Sequence, residues 1–450
     1  MLKDATLCNN SGKVRKATSG LKQSRLTKKK KPLTVEFHDQ MKAKLLEAKM
    51  KCNTSRVEYN WEQQKFLVGQ YEFEIESLYS HLEQLTDKRK RRGIRYRLAD
   101  ALTLIILAKL GGEDEPRGIA RWLKHRAEML VEALGLPRAS MPHETTISRI
   151  LGQAVDPTEV EQVIAHYFDG LVQVSRDEVI AIDGKTLRGT IPRGETQGTH
   201  LLSAYLPQAG LVLHQTEVEN KENEISAAPR LLAEVDVRGK VVIGDAMHTQ
   251  RATSMAVVEE QGDYLWIAKD NQPGLNADIA HLFRPQHCPP ATSPLPTDFQ
   301  TVTHYSYGHG RFEKRELTAS SMLKDYLDWP FLEQVFKLET ERLYLPTGQR
   351  SRETHYGLTS LSSTQACPAR LLALKRCYWA IENRLHYRRD VSLHEDRCRL
   401  RLGHAARLMA ILNNLVLALI DRLDFQTVPD ARRRFSAKPL EALDLFFQIP

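Results

Sequence analysis

Two aspartates stand at matching places in the chain. Asp183 closes the apolar run Ala181-Ile182 and is followed by Gly184 and Lys185; Asp245 closes Val242-Ile243-Gly244 and is followed by Ala246. In open sheets flanked by helices, ligands bind beyond the carboxyl ends of strands, so two carboxylates so placed on neighbouring strands can share a cation. A lone Asp after a strand is usually a turn residue, but two at equivalent positions beside small residues tip the reading toward a site. A third carboxylate, Glu382, follows Asp245 by 137 residues. It lies against the stripe Leu371, Leu374, Tyr378, Ile381 and Leu385, spaced as one face of a helix. A carboxylate turned toward a core is costly unless paired or bound to a cation. Glu382 therefore reads either as a ligand or as a salt-bridge partner of Arg384, Arg388 or His386. Three carboxylates make an oxygen-rich site suited to Mg²⁺ or Mn²⁺. Two such ions about 4 Å apart serve the attacking and the leaving oxygen of a phosphodiester exchange, so the expected reaction class is phosphoryl transfer.

The elements that must position these residues follow from the hydropathy pattern. Glu178–Ile182, His200–Leu206 and Leu211–Glu219 read as a three-strand meander, with a turn at Gly210. A helix over Ile225–Val235, a strand over Lys240–Gly244, a helix over Ala252–Gln261 and a strand over Tyr264–Ala268 complete a β-β-β-α-β-α-β order. A Pro-rich break from Pro285 to Pro296 introduces a strand-leaning stretch from Phe299 to about Leu361. The Glu382 helix is expected over Pro368–Arg388, and a second apolar helix over Ala405–Leu423. Upstream, the runs Leu98–Leu110, Ile119–Leu134 and Val160–Val174, punctuated by Gly111-Gly112, Pro137 and Pro142, read as a small helical domain. Phe66, Phe73, Leu78, Leu82 and Leu85 suggest a helical extension before it. The expected organisation is a basic disordered arm (1–35), that extension (36–87), a helical domain with DNA-end binding as its candidate role (88–175), an α/β catalytic domain (176–425) with a β-rich insertion at about 285–365, and a C-terminal tail (426–450).

Composition is that of a globular chain: 450 residues, 42% hydrophobic and 27% charged. No apolar run approaches the ~20 residues that span a bilayer, and the polar start at Lys3-Asp4 lacks a secretory core. The expected location is the cytoplasm. Cys8, Cys52, Cys288, Cys367, Cys377 and Cys398 form no C-x-x-C pair and read as reduced structural thiols. Of the net charge of +8, residues 1–35 carry +9, and further clusters of seven Lys/Arg lie at Lys88–Arg97 and Arg384–Arg407. Such patches suit a polyanion such as DNA.

Taken together, these segments resemble the bacterial insertion-sequence transposases with a DDE triad, of the H-repeat-associated type. The resemblance spans about Lys88 to Leu423. It rests on Ala181-Ile182-Asp183-Gly184-Lys185-Thr186-Leu187-Arg188-Gly189, Lys221-Glu222-Asn223-Glu224-Ile225, Gly244-Asp245-Ala246-Met247-His248-Thr249-Gln250 and Tyr264-Leu265-Trp266 leading to Lys269-Asp270-Asn271-Gln272. Further on come His309-Gly310-Arg311-Phe312-Glu313-Lys314-Arg315, Trp379-Ala380-Ile381-Glu382-Asn383-Arg384-Leu385-His386 and Asp390-Val391-Ser392-Leu393-His394-Glu395-Asp396. Each is weak alone, and the ordered set is strong.

The resemblance implies an RNase H-like mixed sheet with helices, preceded by a small helical domain and carrying a mostly β insertion before the last catalytic helix. It implies that Asp183, Asp245 and Glu382 are the catalytic and metal-binding triad, holding two Mg²⁺ ions with Mn²⁺ as a substitute. The activity would be cleavage at the ends of a mobile element, then joining of the freed 3′-hydroxyls to target DNA, with no covalent protein intermediate. The implied partners are terminal inverted repeats and target DNA, with a dimer assembled on DNA at the nucleoid. Lys185 and Arg188, close behind the first Asp, are candidate phosphate contacts. His248 is a candidate to orient a water or touch DNA, and Arg384 and Arg389 flank Glu382 as candidate DNA grips. Lys375 and Tyr378 stand where some relatives carry Tyr and then Arg. Asp390, Glu395 and Asp396 are rival third acids, ranked below Glu382 because they fall beyond the apolar stripe. Thr145-Thr146-Ile147-Ser148-Arg149 could present polar residues to a groove, or be merely structural. Two other functions compete: a non-catalytic DNA-binding protein derived from a transposase, and an RNase H-like metal-dependent nuclease.

Overall fold

Residues Val57–Asn60 (β1), Lys65–Val68 (β2) and Tyr71–Phe73 (β3) pair antiparallel in a three-stranded sheet. Within the expected helical extension at 36–87, the described residues between 57 and 73 are therefore strands rather than helix. Val57 and Tyr59, Phe66 and Val68, and Tyr71 and Phe73 alternate with period 2, and Gly69-Gln70 leaves a two-residue connection of hairpin length. The helical spacing that begins at Phe66 survives only in the short helix Leu78–Leu82. The computed structural model describes residues 57–60, 65–68, 71–73, 76–92, 94–169, 171, 178–219, 222–285 and 297–448. The basic arm at 1–35, the rest of 36–56 and most of the Pro-rich break lie outside these residues.

Helix Leu98–Leu110 is buried on every side, as a helix apolar all round must be. Pro116 opens the next helix, Pro116–His125, at a first-turn position where its missing N–H costs nothing. Gly135, at φ +58°, ends helix Ala127–Leu134 in the left-handed conformation that favours glycine. The expected C-terminal tail is instead two helices, Val428–Ala437 and Pro439–Phe447. They fold back because Phe435, Leu443, Phe446 and Phe447 are apolar at helical spacing and all become buried. Phe447 packs its ring 5.0 Å from that of Tyr79, and the Arg432 guanidinium donates to Asp114 at 2.7 Å.

The main sheet of the described residues has nine strands: Val179–Thr186 (β4), His200–Leu206 (β5), Leu211–Val218 (β6), Val241–Gly244 (β7), Asp263–Ala268 (β8), Gln300–Gly308 (β9), Arg311–Ser320 (β10), Gln334–Tyr344 (β11) and Arg350–Thr359 (β12). Their order is β6-β5-β4-β7-β8-β12-β11-β10-β9. The meander β4-β5-β6 is antiparallel, while β4, β7 and β8 run parallel. The strand-leaning insertion is not a separate layer. Its last strand pairs antiparallel with β8, Tyr356 opposite Ala268, so it prolongs the core sheet. The parallel β4–β7 pairing ends at Ile182 opposite Gly244. The next residue on each strand path is an aspartate.

The Pro368–Ala380 helix crosses β4, β7, β9 and β10. It does not run on as one regular helix. Ile381–His386 form a π-helical turn, and Tyr387–Val391 resume the α-helix. Among the described residues no helix is long and apolar enough to cross a membrane.

Candidate active site

Asp183 lies within β4, one residue past the last parallel pair, and is partly buried. The Tyr378 hydroxyl donates to its Oδ1 at 3.3 Å, and His386 Nδ1 stands 3.4 Å from its Oδ2. Asp245 follows β7 as a cap: its Oδ1 accepts the Ala246 amide at 2.6 Å, with the Lys269 ammonium 3.8 Å away. Glu382 is not turned into the core as the stripe suggested; it is exposed on the π-helical turn. The cations that could have paired with it are engaged elsewhere, Arg388 with Asp421 at 2.6 Å, His386 with Asp183, and Arg384 with the Pro207 carbonyl at 3.0 Å.

Tyr378 links the carboxylates: its hydroxyl donates to Asp183, and it lines the cleft that Asp245 and Glu382 also line. Burial, then the charges of Asp183, Asp245 and Glu382, push its hydroxyl far above the ordinary tyrosine value, so it stays a neutral donor. Asp245, Tyr378 and Glu382 line one open cleft of about 850 Å³, faced by His309 of the β9–β10 turn and Arg311 at the start of β10. Burial and the nearby Lys269 charge lower Lys375 to about 8, and its ammonium sits 4.9 Å from the Tyr378 ring centre. The donors are all carboxylate oxygens, the chemistry a hard divalent cation selects. As placed, no three His, Cys, Asp or Glu side chains among the described residues come close enough together to hold an ion; Tyr378 and His386 occupy Asp183, and Lys269 faces Asp245.

Behind the two aspartates lies a cluster whose role the sequence did not disclose. Glu224 Oε1 is 2.9 Å from His200 Nε2, and its Oε2 is 3.4 Å from His248 Nε2. Burial alone would raise the Glu224 carboxyl; hydrogen bonds and charge from His200 and His248 overcome it and hold it at about 2. The small residues beside the aspartates make room for this cluster. A Cβ on Gly184 would lie 2.3 Å from the Glu224 carboxyl carbon, and one on Gly244 would meet His248 at 3.0 Å. Gly184→Ala must therefore displace a carboxylate that two histidines pin. The expected cost is about 1–3 kcal/mol, read as a lower melting temperature, and Glu224→Ala in the same chain should recover part of it. Additive losses in the double variant would show that the two positions are not coupled.

Three of the candidate DNA contacts are not available to DNA. Lys185 is buried, donating to Asp390 at 2.7 Å with Asp396 at 3.8 Å. Arg389 is fully buried and paired with Glu395 at 2.8 Å. On a regular helix seven residues bring a side chain back to nearly the same face, but the wide π-helical turn between Glu382 and Arg389 breaks that register. Arg389 joins the buried stripe instead. His248 is wholly buried, beneath Gly244. Arg188 remains exposed, and Arg384 half exposed at the cleft. The rival acids are each accounted for: Asp390 and Asp396 neutralise Lys185, and Glu395 neutralises Arg389 while accepting from Asn413 at 2.7 Å.

Comparison with known proteins follows this geometry. The family described as "Transposase DDE domain" matches residues 175–419, and the one described as "DDE_Tnp_1-associated" matches 79–168. The Escherichia coli O157:H7 protein named "Putative transposase YncI" is 28% identical over 353 residues, covering 77% of this chain and 87% of its own. The E. coli K12 protein named "H repeat-associated putative transposase YhhI" is 27% identical over 357 residues, covering 77% and 91%. A piggyBac transposase synaptic complex with hairpin DNA aligns with 81% of this chain and 78% of its own at 9% identity, with a TM-score of 0.38, a likeness too slight to argue from.

Proposed function

Because the chain belongs to the Transposase DDE domain family, and to its H repeat-associated type, we propose that it cleaves the ends of an insertion sequence and joins the freed 3′-hydroxyls to target DNA. The observation that carries this reading is the placement of Asp183 and Asp245 one residue past the last β4–β7 pair, with Asp245 and Glu382 lining one open cleft and Tyr378 of that cleft donating to Asp183. The strand order β6-β5-β4-β7-β8, an antiparallel meander continued by parallel strands, supports an RNase H-like core. The helices before the sheet match a family model of their own at 79–168, and DNA-end binding is the role we assign to them.

Asp183, Asp245 and Glu382 would hold the divalent ions, two Mg²⁺ or Mn²⁺, which when bound supply Lewis acidity at the attacking and leaving oxygens. Tyr378 fixes the orientation of Asp183 through its hydroxyl. His386 holds the other oxygen of the same carboxylate, so both come from the helix that carries Glu382. That ties the spacing of the acids to one rigid element. Lys269, half exposed beside Asp245, offers a cation to a phosphate entering the cleft. Arg384 lines the adjoining space together with Asp245 and Lys269. In the first step a water oxygen bonds to phosphorus as the 3′-oxygen leaves. In the second, that 3′-hydroxyl bonds to a target phosphorus as a target 3′-oxygen leaves. One P–O bond forms for each that breaks, so no external energy source is needed. Pairing two element ends in one event requires at least two copies of the chain on the DNA.

The test is metal-dependent cleavage of a supercoiled plasmid carrying the DNA that flanks this gene. Nicking at the element ends with Mg²⁺ or Mn²⁺, lost in EDTA and restored by adding the metal back, is the expected result. Binding without cleavage under any divalent ion would favour the non-catalytic reading, and cleavage scattered over the plasmid with no joining would favour the nuclease.

A further inference from the structure

Away from the acidic cleft, a groove of about 950 Å³ runs between helices Pro116–His125 and Glu144–Arg149 on one side and the segment Asp396–Leu402 on the other. Arg117, Arg149, Arg397 and Arg399 line it, all exposed and none in an ion pair among the described residues. This is unusual here, because most arginines near the sheet are spent on partners, as Arg315, Arg342, Arg388 and Arg389 are. Of the acids on the rim, Asp396 is already neutralised by Lys185 and Arg188, leaving Glu115 and Glu144. Arg121 and Lys124 extend the exposed basic face along the first helix, four and seven residues after Arg117.

The floor of the groove is held rigidly. Gly189 and Gly152 have no room for a Cβ, which would meet the Cys398 carbonyl at 2.1 Å and the Leu402 carbonyl at 2.4 Å respectively. The segment is thus clamped between the loop after β4 and the upstream helices. That loop leads from Gly189 back to Asp183 over six residues, a reach of no more than ~22 Å.

We propose that this groove seats the phosphate backbone of duplex DNA next to the cleavage site, gripping it from the upstream helices and the catalytic region at once. The inference rests on the DNA-processing reading above and adds where the duplex lies. Guanidinium groups are suited to this task because they bind phosphate oxygens in pairs and stay charged. Four of them spread along an open groove match a line of phosphates better than one enclosed small anion.

The test is fluorescence anisotropy of the full chain with a labelled 30-base-pair DNA duplex of arbitrary sequence, across a salt series. Changing Arg117, Arg149, Arg397 and Arg399 to Gln should flatten the slope of log K against log salt by about 3–4, at roughly 0.9 per lost contact, and weaken binding tenfold or more near physiological salt. The same four changed to Lys should restore most of the slope. Changing Arg238, Lys324, Arg433 and Lys438 to Gln controls for net charge and should move it far less. A Gln variant that binds like wild type, or no worse than the control, overturns the groove even if the wild type cleaves DNA. An RNA duplex that competes as well as DNA overturns the assignment to DNA. If the wild type itself neither binds nor cuts DNA, it is the underlying functional reading that fails.

Discussion

Glu382→Gln is expected to slow cleavage at the element ends on the order of 10²–10⁴-fold, leaving DNA affinity unchanged or slightly higher. The size follows from losing one anionic ligand from a site that stabilises developing charge, a term of several kcal/mol, with each 1.36 kcal/mol worth about a factor of ten. Folding should be untouched, because Glu382 is exposed on its turn and Gln preserves its shape. Asp396→Asn is the informative companion. Asp396 lies close in sequence, but it faces Lys185 and Arg188 rather than the cleft. Its replacement should cost some stability and little rate. Strand cleavage by both proteins, compared at equal concentration with a melting curve for each, checks the pair of expectations. Wild-type cleavage by Glu382→Gln together with a dead Asp396→Asn would move the third acid to the later segment.

What the sequence disclosed and what it concealed divide along the range of the interactions. The strands leading to Asp183 and Asp245 were legible because a buried strand writes itself as a short apolar run, and small residues beside an acid mark crowding there. The order of strands and helices from residue 178 to 268 followed from the same local pattern. Lys185 misled because its partner is Asp390, 205 residues away. A charge looks solvated until the fold supplies its counter-charge. Arg389 misled for a second reason, since a π-helical turn changes register without any composition signal. The Glu224, His200 and His248 cluster was hidden in the same way. Asn223-Glu224 stood out as part of a motif, but nothing local shows that the carboxylate packs over Gly184. The two C-terminal helices were missed although Leu443, Phe446 and Phe447 sit at helical spacing, a signal strong enough to have been read.

Arg389→Met is expected to lower the melting temperature by roughly 5–10 °C, the consequence of stranding Glu395 as a buried charge at a cost of about 3–5 kcal/mol. Arg389 is fully buried, and Glu395 nearly so, with Asn413 donating to its second oxygen. Burial alone would raise the Glu395 carboxyl, but Arg389 and Asn413 overcome it and the carboxyl lies below its ordinary value. A carboxyl depressed in the folded state contributes stability that is present above the unfolded value of about 4.5 and lost as pH falls toward the folded one. Glu395→Gln should therefore destabilise the chain at pH 7 and, relative to wild type, flatten its loss of stability below pH 4.5. Thermal melts of the two single variants across pH 3–8 measure both effects. Replacing Arg389, Glu395 and Asn413 together by Met, Leu and Leu separates pairing from packing. Near-complete recovery would show that the cost of each single change is the stranded partner, the general behaviour of buried ion pairs. At temperatures below its transition, Arg389→Met should hold duplex DNA as tightly as wild type, because the guanidinium it removes never reaches solvent. A large loss of DNA affinity in a folded Arg389→Met chain would mean that this helix turns its buried face outward when DNA binds.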